Sequence, residues 1–137
     1  MNATLPEIIV TESDHERLTA ILRGLPAQHA VAVLLRRELD RAEIVESMEV
    51  PGDVVTMNSQ VVLEDPETGQ RHHVTLVYPS AANFDVGRLS ILAPVGAALL
   101  GLRPGQTIDW PLPSGRVRTI RVVSVDWQPE AAGELDL

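Results

Sequence analysis

The stretch APVGAALLGLRPGQ, residues 93–106, combines a proline, small residues and two glycine stops. Pro94 suits the first turn of a helix, Val95–Leu100 supply fewer than two turns, and Gly101 ends them. A glycine-rich loop that opens a helix is also typical of phosphate-binding sites. The commonest such motif needs a lysine, however, and the chain contains none. The stretch therefore predicts a short packing helix between two strands and no nucleotide site.

Strand patterns surround this helix on both sides. Residues 55–63 alternate apolar and polar side chains, DPETG at 65–69 has turn chemistry, and residues 70–79 supply a partner strand. Further strands are predicted at RLSILA (88–93), TIDWPL (107–112) and RVRTIRVVSVDW (116–127). We expect a small, mainly antiparallel β domain that carries one short helix.

The N-terminal third shows helical periodicity instead. Ser13 and Glu16 have the spacing of a capping box, and Gly24 supplies a C-terminal stop. The apolar stripe of this first helix is Leu18, Ile21, Leu22 and Leu25. A second helix is predicted from near Gln28 to about Ser47, with Val31, Leu34, Leu35, Leu39, Ala42 and Val45 on one broad face. The short turn between the helices requires an antiparallel pair.

These patterns predict an α+β fold. Residues 1–50 are expected to form a short antiparallel helical hairpin, a small coiled coil, and residues 51–137 the β domain. Pro51 and Gly52 mark the predicted boundary between them. The polar, acidic tail at 128–137 is expected to be extended or loosely docked.

Composition disfavours several classes of protein. The chain lacks cysteine, so disulfides and thiolate sites are excluded. Its net charge is -8, all eleven basic residues are arginine, and it has only four aromatic residues. This composition disfavours direct, sequence-specific binding of nucleic acid. The sequence shows no membrane-length apolar run and no export signal, so we expect a soluble, cytoplasmic protein.

No constellation of side chains predicts catalysis or metal binding. His72 and His73 are adjacent on a strand and should point to opposite faces, whereas His15 and His29 stand alone and are expected to be solvated. The third-residue series Asp40, Glu43, Glu46 and Glu49 is interpreted as a solvated face. Ion pairs are predicted for Arg36 with Asp40 and for Glu38 with Arg41. We expect no catalytic residue, cofactor or metal, and no enzymatic activity.

Four motifs carry a resemblance to a known family. They are DVVTMNS (53–59), TLVYP (75–79), LSILAPVGAALLGLRPGQTIDWPLP (89–113) and WQPEAAG (127–133). Together they resemble the Rnk family of regulators of nucleoside diphosphate kinase, which is similar to the C-terminal domain of the transcript cleavage factors GreA and GreB. The resemblance implies an FK506-binding-protein-like β domain. In the Gre factors that domain docks at the rim of the RNA polymerase secondary channel, and a long coiled coil carries acidic residues that help to hold magnesium.

The resemblance assigns two candidate contact regions in this chain. The Gre docking loop has an acid followed by a Ser-Pro step, and the matching residues here are Leu92, Ala93 and Pro94; only the proline is kept. An apolar residue at position 92 could anchor on a partner or pack in the core, and both interpretations stay open. The hairpin tip is Leu25, Pro26, Gln28 and His29.

The tip departs from the Gre pattern because no acid occurs between Arg23 and Arg36. The predicted second helix, of about 19 residues, would reach only about 28 Å. The resemblance therefore implies a non-catalytic transcription regulator that binds RNA polymerase core, competes with GreA or GreB and lacks cleavage activity. Two alternatives stay open: a peptidyl-prolyl isomerase-like enzyme, and a direct binder of nucleoside diphosphate kinase.

Overall fold

The computed structural model describes residues 7–111 and 114–135. The N-terminal part comprises β1 (Ile9–Thr11), α1 (Glu12–Arg23), α2 (Ala30–Arg41) and β2 (Glu43–Val45). The two short strands pair in parallel, with Ile9 opposite Glu43. This pairing ties both ends of the helical hairpin together at its base, and the sequence patterns did not predict it.

The pairing of β1 with β2 also moves two predicted helix boundaries. The cap of α1 is Thr11, whose hydroxyl accepts a 3.1 Å hydrogen bond from the Asp14 amide, so the predicted capping box that begins at Ser13 is wrong. Thr11 is the last extended residue before the helix, which is the geometry that a cap requires. The predicted end of α2 near Ser47 is also wrong, because the chain leaves the helix after Arg41 to form β2.

The C-terminal part is a five-stranded sheet. Its strands are β3 (Gln60–Glu64), β4 (Arg71–Val77), β5 (Arg88–Ser90), β6 (Thr107–Pro111) and β7 (Val117–Trp127). Their order is β5-β4-β3-β7-β6, and every pair is antiparallel except β4 with β5. The predicted turn at residues 65–69 does join two antiparallel strands. The third helix, α3 (Pro94–Leu99), lies where the sequence predicted it.

The first predicted strand of this sheet was too long. Residues 51–59 form an irregular loop, although Val55 and Met57 in it are fully buried. The alternating pattern reflected burial within this loop, where the Val55 N–H donates to the Leu102 carbonyl at 2.9 Å.

One hydrophobic cluster joins the hairpin to the sheet. It includes Leu18 and Leu35 from the two long helices, Leu99 from α3, and Leu76 and Val122 from the strands. The hairpin therefore packs on the β domain, and α2 contacts α3. The α+β architecture predicted from the sequence is confirmed, whereas the division at residues 50 and 51 stays a prediction. No helix among the described residues is long and apolar enough to cross a bilayer.

The start of the tail is firmly docked, contrary to the prediction for residues 128–137. Gln128 is buried, and its side-chain amide donates 2.8 Å hydrogen bonds to the carbonyls of Pro51 and Val54. Glu130 accepts a 2.6 Å hydrogen bond from the Thr56 hydroxyl. The tail therefore closes over the irregular loop that connects the hairpin to the sheet.

Candidate protein-docking site

The docking loop, residues Leu92, Ala93 and Pro94, connects β5 to α3. Its start is fixed by Ser90, whose hydroxyl accepts from the Leu92 amide at 3.0 Å and whose carbonyl accepts from the Ala93 amide at 3.0 Å. Pro94 is the first residue of α3, a position at which proline loses no hydrogen bond. All three residues are half-buried. Leu92 packs partly against the core, so core packing accounts for part of its role.

Gly96 sets the close approach of α3 to this loop. A Cβ at that position would lie 2.0 Å from the Ser90 carbonyl oxygen. No side chain fits there, because such a contact is far inside the van der Waals distance. The conformation of the docking loop is therefore determined by direct backbone packing, which the sequence pattern alone did not reveal.

A groove lies beside α3, and residues of β3, β4, β5 and β7 line it together with Val95 of α3. Its volume is about 430 Å³, and its apolar lining includes Leu63, Val74, Leu89, Val95 and Ile120. Arginines 88 and 118 also line it, and the side chain of Phe84 at its edge is 87% exposed. Period-two alternation along the strands places these apolar side chains on one face. The groove can accept apolar side chains of a partner.

The hairpin tip lies in the turn between α1 and α2, far from the docking loop in the sequence. Pro26 and Gln28 are exposed, whereas Leu25 and His29 are half-buried. His29 caps α2, because its Nδ1 accepts a 3.2 Å hydrogen bond from the Ala32 amide; the expectation of a merely solvated side chain was wrong. Arg36 donates from Nη2 to the Leu22 carbonyl at 2.7 Å, which joins α2 to the last turn of α1.

Asp14 forms a buried joint between the hairpin and the β domain. Its carboxylate accepts a 3.0 Å hydrogen bond from the Met57 amide and a 3.2 Å hydrogen bond from the Tyr78 hydroxyl. Burial raises the pKa of Asp14 from 3.8 to about 6, and the nearby charge of Glu130 adds to that rise. Burial and the Asp14 charge also raise the pKa of Tyr78. Sequence spacing does not reveal this joint, because its members are far apart in the chain.

The predictions for the other polar residues were partly correct. Glu38 and Arg41 form the predicted ion pair, but Arg36 bonds to the Leu22 carbonyl instead of Asp40. The acidic residues at 40, 43, 46 and 49 are exposed, as predicted. Within residues 7–111 and 114–135, no group of three histidine or acidic side chains is placed to hold a metal.

Comparisons with known families agree with this architecture. The model for the C-terminal region of the GreA/GreB transcription elongation factors matches residues 50–126, and the model for the Rnk N-terminus matches residues 6–45. A regulator of nucleoside diphosphate kinase from Escherichia coli K12 is 44% identical over 94% of this chain and 96% of its own length. The transcription inhibitor protein Gfh1 of Thermus thermophilus is 43% identical over 64% of this chain, but only 55% of its own length is covered.

A solved structure shows the same fold. It is a prokaryotic transcription elongation factor GreA/GreB from Nitrosomonas europaea, with a TM-score of 0.73 and 42% identity, and the match covers 89% of this chain and 99% of that one. The fold and these matches define a protein with a GreA/GreB C-terminal domain. Within that class, the chain belongs to the Rnk family of regulators of nucleoside diphosphate kinase.

Proposed function

We propose that this protein is a non-catalytic regulator of transcription that binds RNA polymerase core at the rim of the secondary channel. Its family membership supports the regulatory class. The observation that carries the proposal is the helical hairpin, which is short and has no acidic side chain at its tip, on a domain of the GreA/GreB type. Such a protein would occupy the site of a Gre factor and compete with it, without supplying its chemistry.

The β domain supplies the proposed docking surface. Pro94 and its neighbours are held in one conformation by Ser90 and Gly96, so little conformational entropy is lost when they meet a partner. The adjacent groove offers an apolar lining for side chains of that partner. A rigid apolar anchor beside a concave surface is a common arrangement at the centre of protein interfaces.

Transcript cleavage is not expected, because the hairpin lacks the means to hold magnesium. Magnesium is bound mainly by oxygen ligands that include carboxylates, and residues 24–35 contain no aspartate or glutamate. Each of the two helices has twelve residues, a length of about 18 Å. For α2 this is shorter than the length of about 28 Å expected from the sequence, and it moves the tip further from any site that a long coiled coil would reach.

Binding of labelled protein to RNA polymerase core, with and without excess GreA, tests the docking hypothesis. We expect saturable binding that GreA displaces, and Pro94→Ala should weaken the affinity about tenfold. Ala93→Ser, which restores the Ser-Pro step, is the matched control and should retain binding. Leu92→Asp, which restores the acid of the Gre docking loop, should alter the affinity, provided that its thermal unfolding shows a folded protein. Absence of wild-type binding at micromolar concentration would reject the hypothesis.

A stalled elongation complex tests the predicted lack of cleavage. GreA serves as the positive control and should shorten the transcript, whereas this protein should leave the transcript intact and slow the reaction of GreA by competition. Shortening by this protein alone, at a rate that depends on its concentration, would contradict the proposal.

The two alternatives have direct tests. Isomerase activity rests on the fold and the groove beside α3, and a prolyl isomerase assay at the background rate would remove it. Direct binding of nucleoside diphosphate kinase rests on the family's name. Failure of the purified pair to co-elute would remove that alternative.

A further inference from the structure

Charge in the helical hairpin is segregated along its length. Residues 18–37 contain three arginines, Arg23, Arg36 and Arg37, and no acid. The flanking segments, 7–17 and 38–49, contain nine acids and two arginines. The distal part therefore carries +3 and the base -7, in a chain whose net charge is -8. Positive charge in the hairpin is therefore concentrated in residues 18–37, within an otherwise acidic chain.

The three distal arginines are available to a partner. Arg23 and Arg37 are exposed, and none of the three takes part in an ion pair within the described part of the chain. Arg36 is half-buried and held by its bond to the Leu22 carbonyl. A guanidinium has five N–H donors, so that single bond leaves Arg36 oriented but largely unsatisfied by protein groups.

A recess between the two helices lies among these charges. Its volume is about 500 Å³, and Leu22, Leu25 and Leu39 form apolar parts of its lining. Arg23 and Arg36 also line it, together with His15 and Asp40. The distal recess, as we name it, therefore combines an apolar floor with two guanidinium groups and one carboxylate.

We propose that the distal recess binds an acidic, amphipathic segment of the polymerase, a contact that rests on the proposed function and adds a second attachment point to the docking loop. The apolar floor fits one or two aliphatic side chains, and the planar guanidinium groups fit carboxylates in a paired geometry. Electrostatic complementarity at such a contact speeds association and sets orientation.

The composition of the recess favours a protein segment over nucleic acid. No tryptophan, tyrosine or phenylalanine is among its described lining residues, so it lacks the large aromatic surface on which bases stack. Nucleic acid is also the more densely charged ligand, and the net charge of -8 repels it more strongly than an acidic peptide.

Charge reversal at the exposed arginines tests this proposal. Affinity for nucleic-acid-free RNA polymerase core is measured at low and high salt for the wild type, Arg23→Glu and the double variant Arg23→Glu/Arg37→Glu. Arg116→Glu is the matched control for Arg23→Glu, since it makes the same charge change at an exposed position in the turn before β7. We expect the double variant to bind about tenfold more weakly at low salt and to show a flatter salt dependence. The control should stay within about twofold of the wild type.

The outcomes separate this proposal from the one on which it rests. Failure of the wild-type protein to bind polymerase would overturn the proposed function. Wild-type binding with equal effects of Arg23→Glu and Arg116→Glu would overturn the distal recess alone. An effect confined to elongation complexes that contain RNA and DNA, absent with the free core, would assign the arginines to phosphates and also overturn the acidic protein segment.

Discussion

The docking loop and the hairpin tip are both candidate contact regions, but they are held in place by different means. At the docking loop, the backbone of Ser90 lies so close to Gly96 that no Cβ fits between them. At the tip, side chains reinforce a backbone turn in which the His29 amide donates to the Pro26 carbonyl: His29 caps α2, and Arg36 reaches the end of α1. Close backbone packing constrains the first region, whereas side chains contribute more of the hold at the second.

This difference has a consequence for function. A surface fixed by backbone packing presents the same shape whatever exposed side chains it carries. A tip that is held by a cap can change its charge at little cost to the fold, because exposed substitutions usually alter stability by less than about 0.5 kcal/mol. Under the proposed function, the docking loop would supply a rigid surface and the tip a charge that can vary.

Gly96→Ala should produce the largest loss of stability, because it acts where backbone packing constrains the docking loop. The added methyl group would lie 2.0 Å from the Ser90 carbonyl oxygen, so α3 and the docking loop must move apart. Overpacking against backbone at this distance should cost about 4 kcal/mol of unfolding free energy. Urea denaturation followed by circular dichroism measures the change.

Gly52→Ala is the matched control for that substitution. Its added Cβ would meet only the Ala131 methyl group, at 3.6 Å, which is ordinary contact, and its backbone is not left-handed. We expect a change of less than about 0.5 kcal/mol. Equal stability of the two alanine variants would show that the contact with Ser90 does not constrain the loop.

Asp14→Asn tests the base of the hairpin, where a buried carboxylate connects α1 to the β domain. The asparagine side chain can accept from the Met57 amide and donate to the Tyr78 oxygen, so both contacts are kept without the buried charge. At pH 8 we expect the unfolding free energy of the variant to exceed that of the wild type by about 1–2 kcal/mol. A destabilised variant at that pH would mean that the charge itself supports the joint.

The pH dependence of the wild type follows from the same carboxyl group. Its pKa is about 6 in the folded chain, against 3.8 for an aspartate in water, so the folded state binds the proton more tightly. The contribution of Asp14 to stability is therefore present below about pH 4 and is lost as the pH rises through about 6, by about 3 kcal/mol in all. Comparing urea titrations of wild type and Asp14→Asn across this range isolates that contribution, which should be absent from the variant.

Local pattern predicted most of the fold, and interactions distant in the sequence determined the exceptions. Helix α3 was correct because Pro94 and Gly101 mark its ends within eight residues. The end of α2 was wrong because β2 pairs with β1, more than thirty residues earlier. Helical periodicity through Val45 gave no sign of that competing partner.

The candidate site was less predictable than the fold. Pro94 and the tip residues were located through family motifs, and their binding role stays a prediction. Asp14 reads from sequence as an acidic residue in the first turn of a helix, an ordinary position for one. Its burial depends on Met57 and Tyr78, which approach it only after the sheet and the irregular loop have folded. Single-sequence spacing cannot reveal such a group, because none of its members lies at a repeating interval.

His29→Ala should produce the smallest of these effects, because it removes only the cap of α2 at the tip. Loss of the cap on the Ala32 amide should cost about 1 kcal/mol of unfolding free energy. His29→Asp should restore the cap and interact favourably with the helix dipole, so its stability should equal or exceed that of the wild type. The aspartate also adds a negative charge two residues from Ala27, which lines the distal recess, so this stable variant should bind RNA polymerase core more weakly than His29→Ala does. Denaturation and affinity would then rank the two variants in opposite orders, as expected if the tip supplies charge to the interface without fixing the fold. The same rank order in both measurements would show that the tip acts through helix stability.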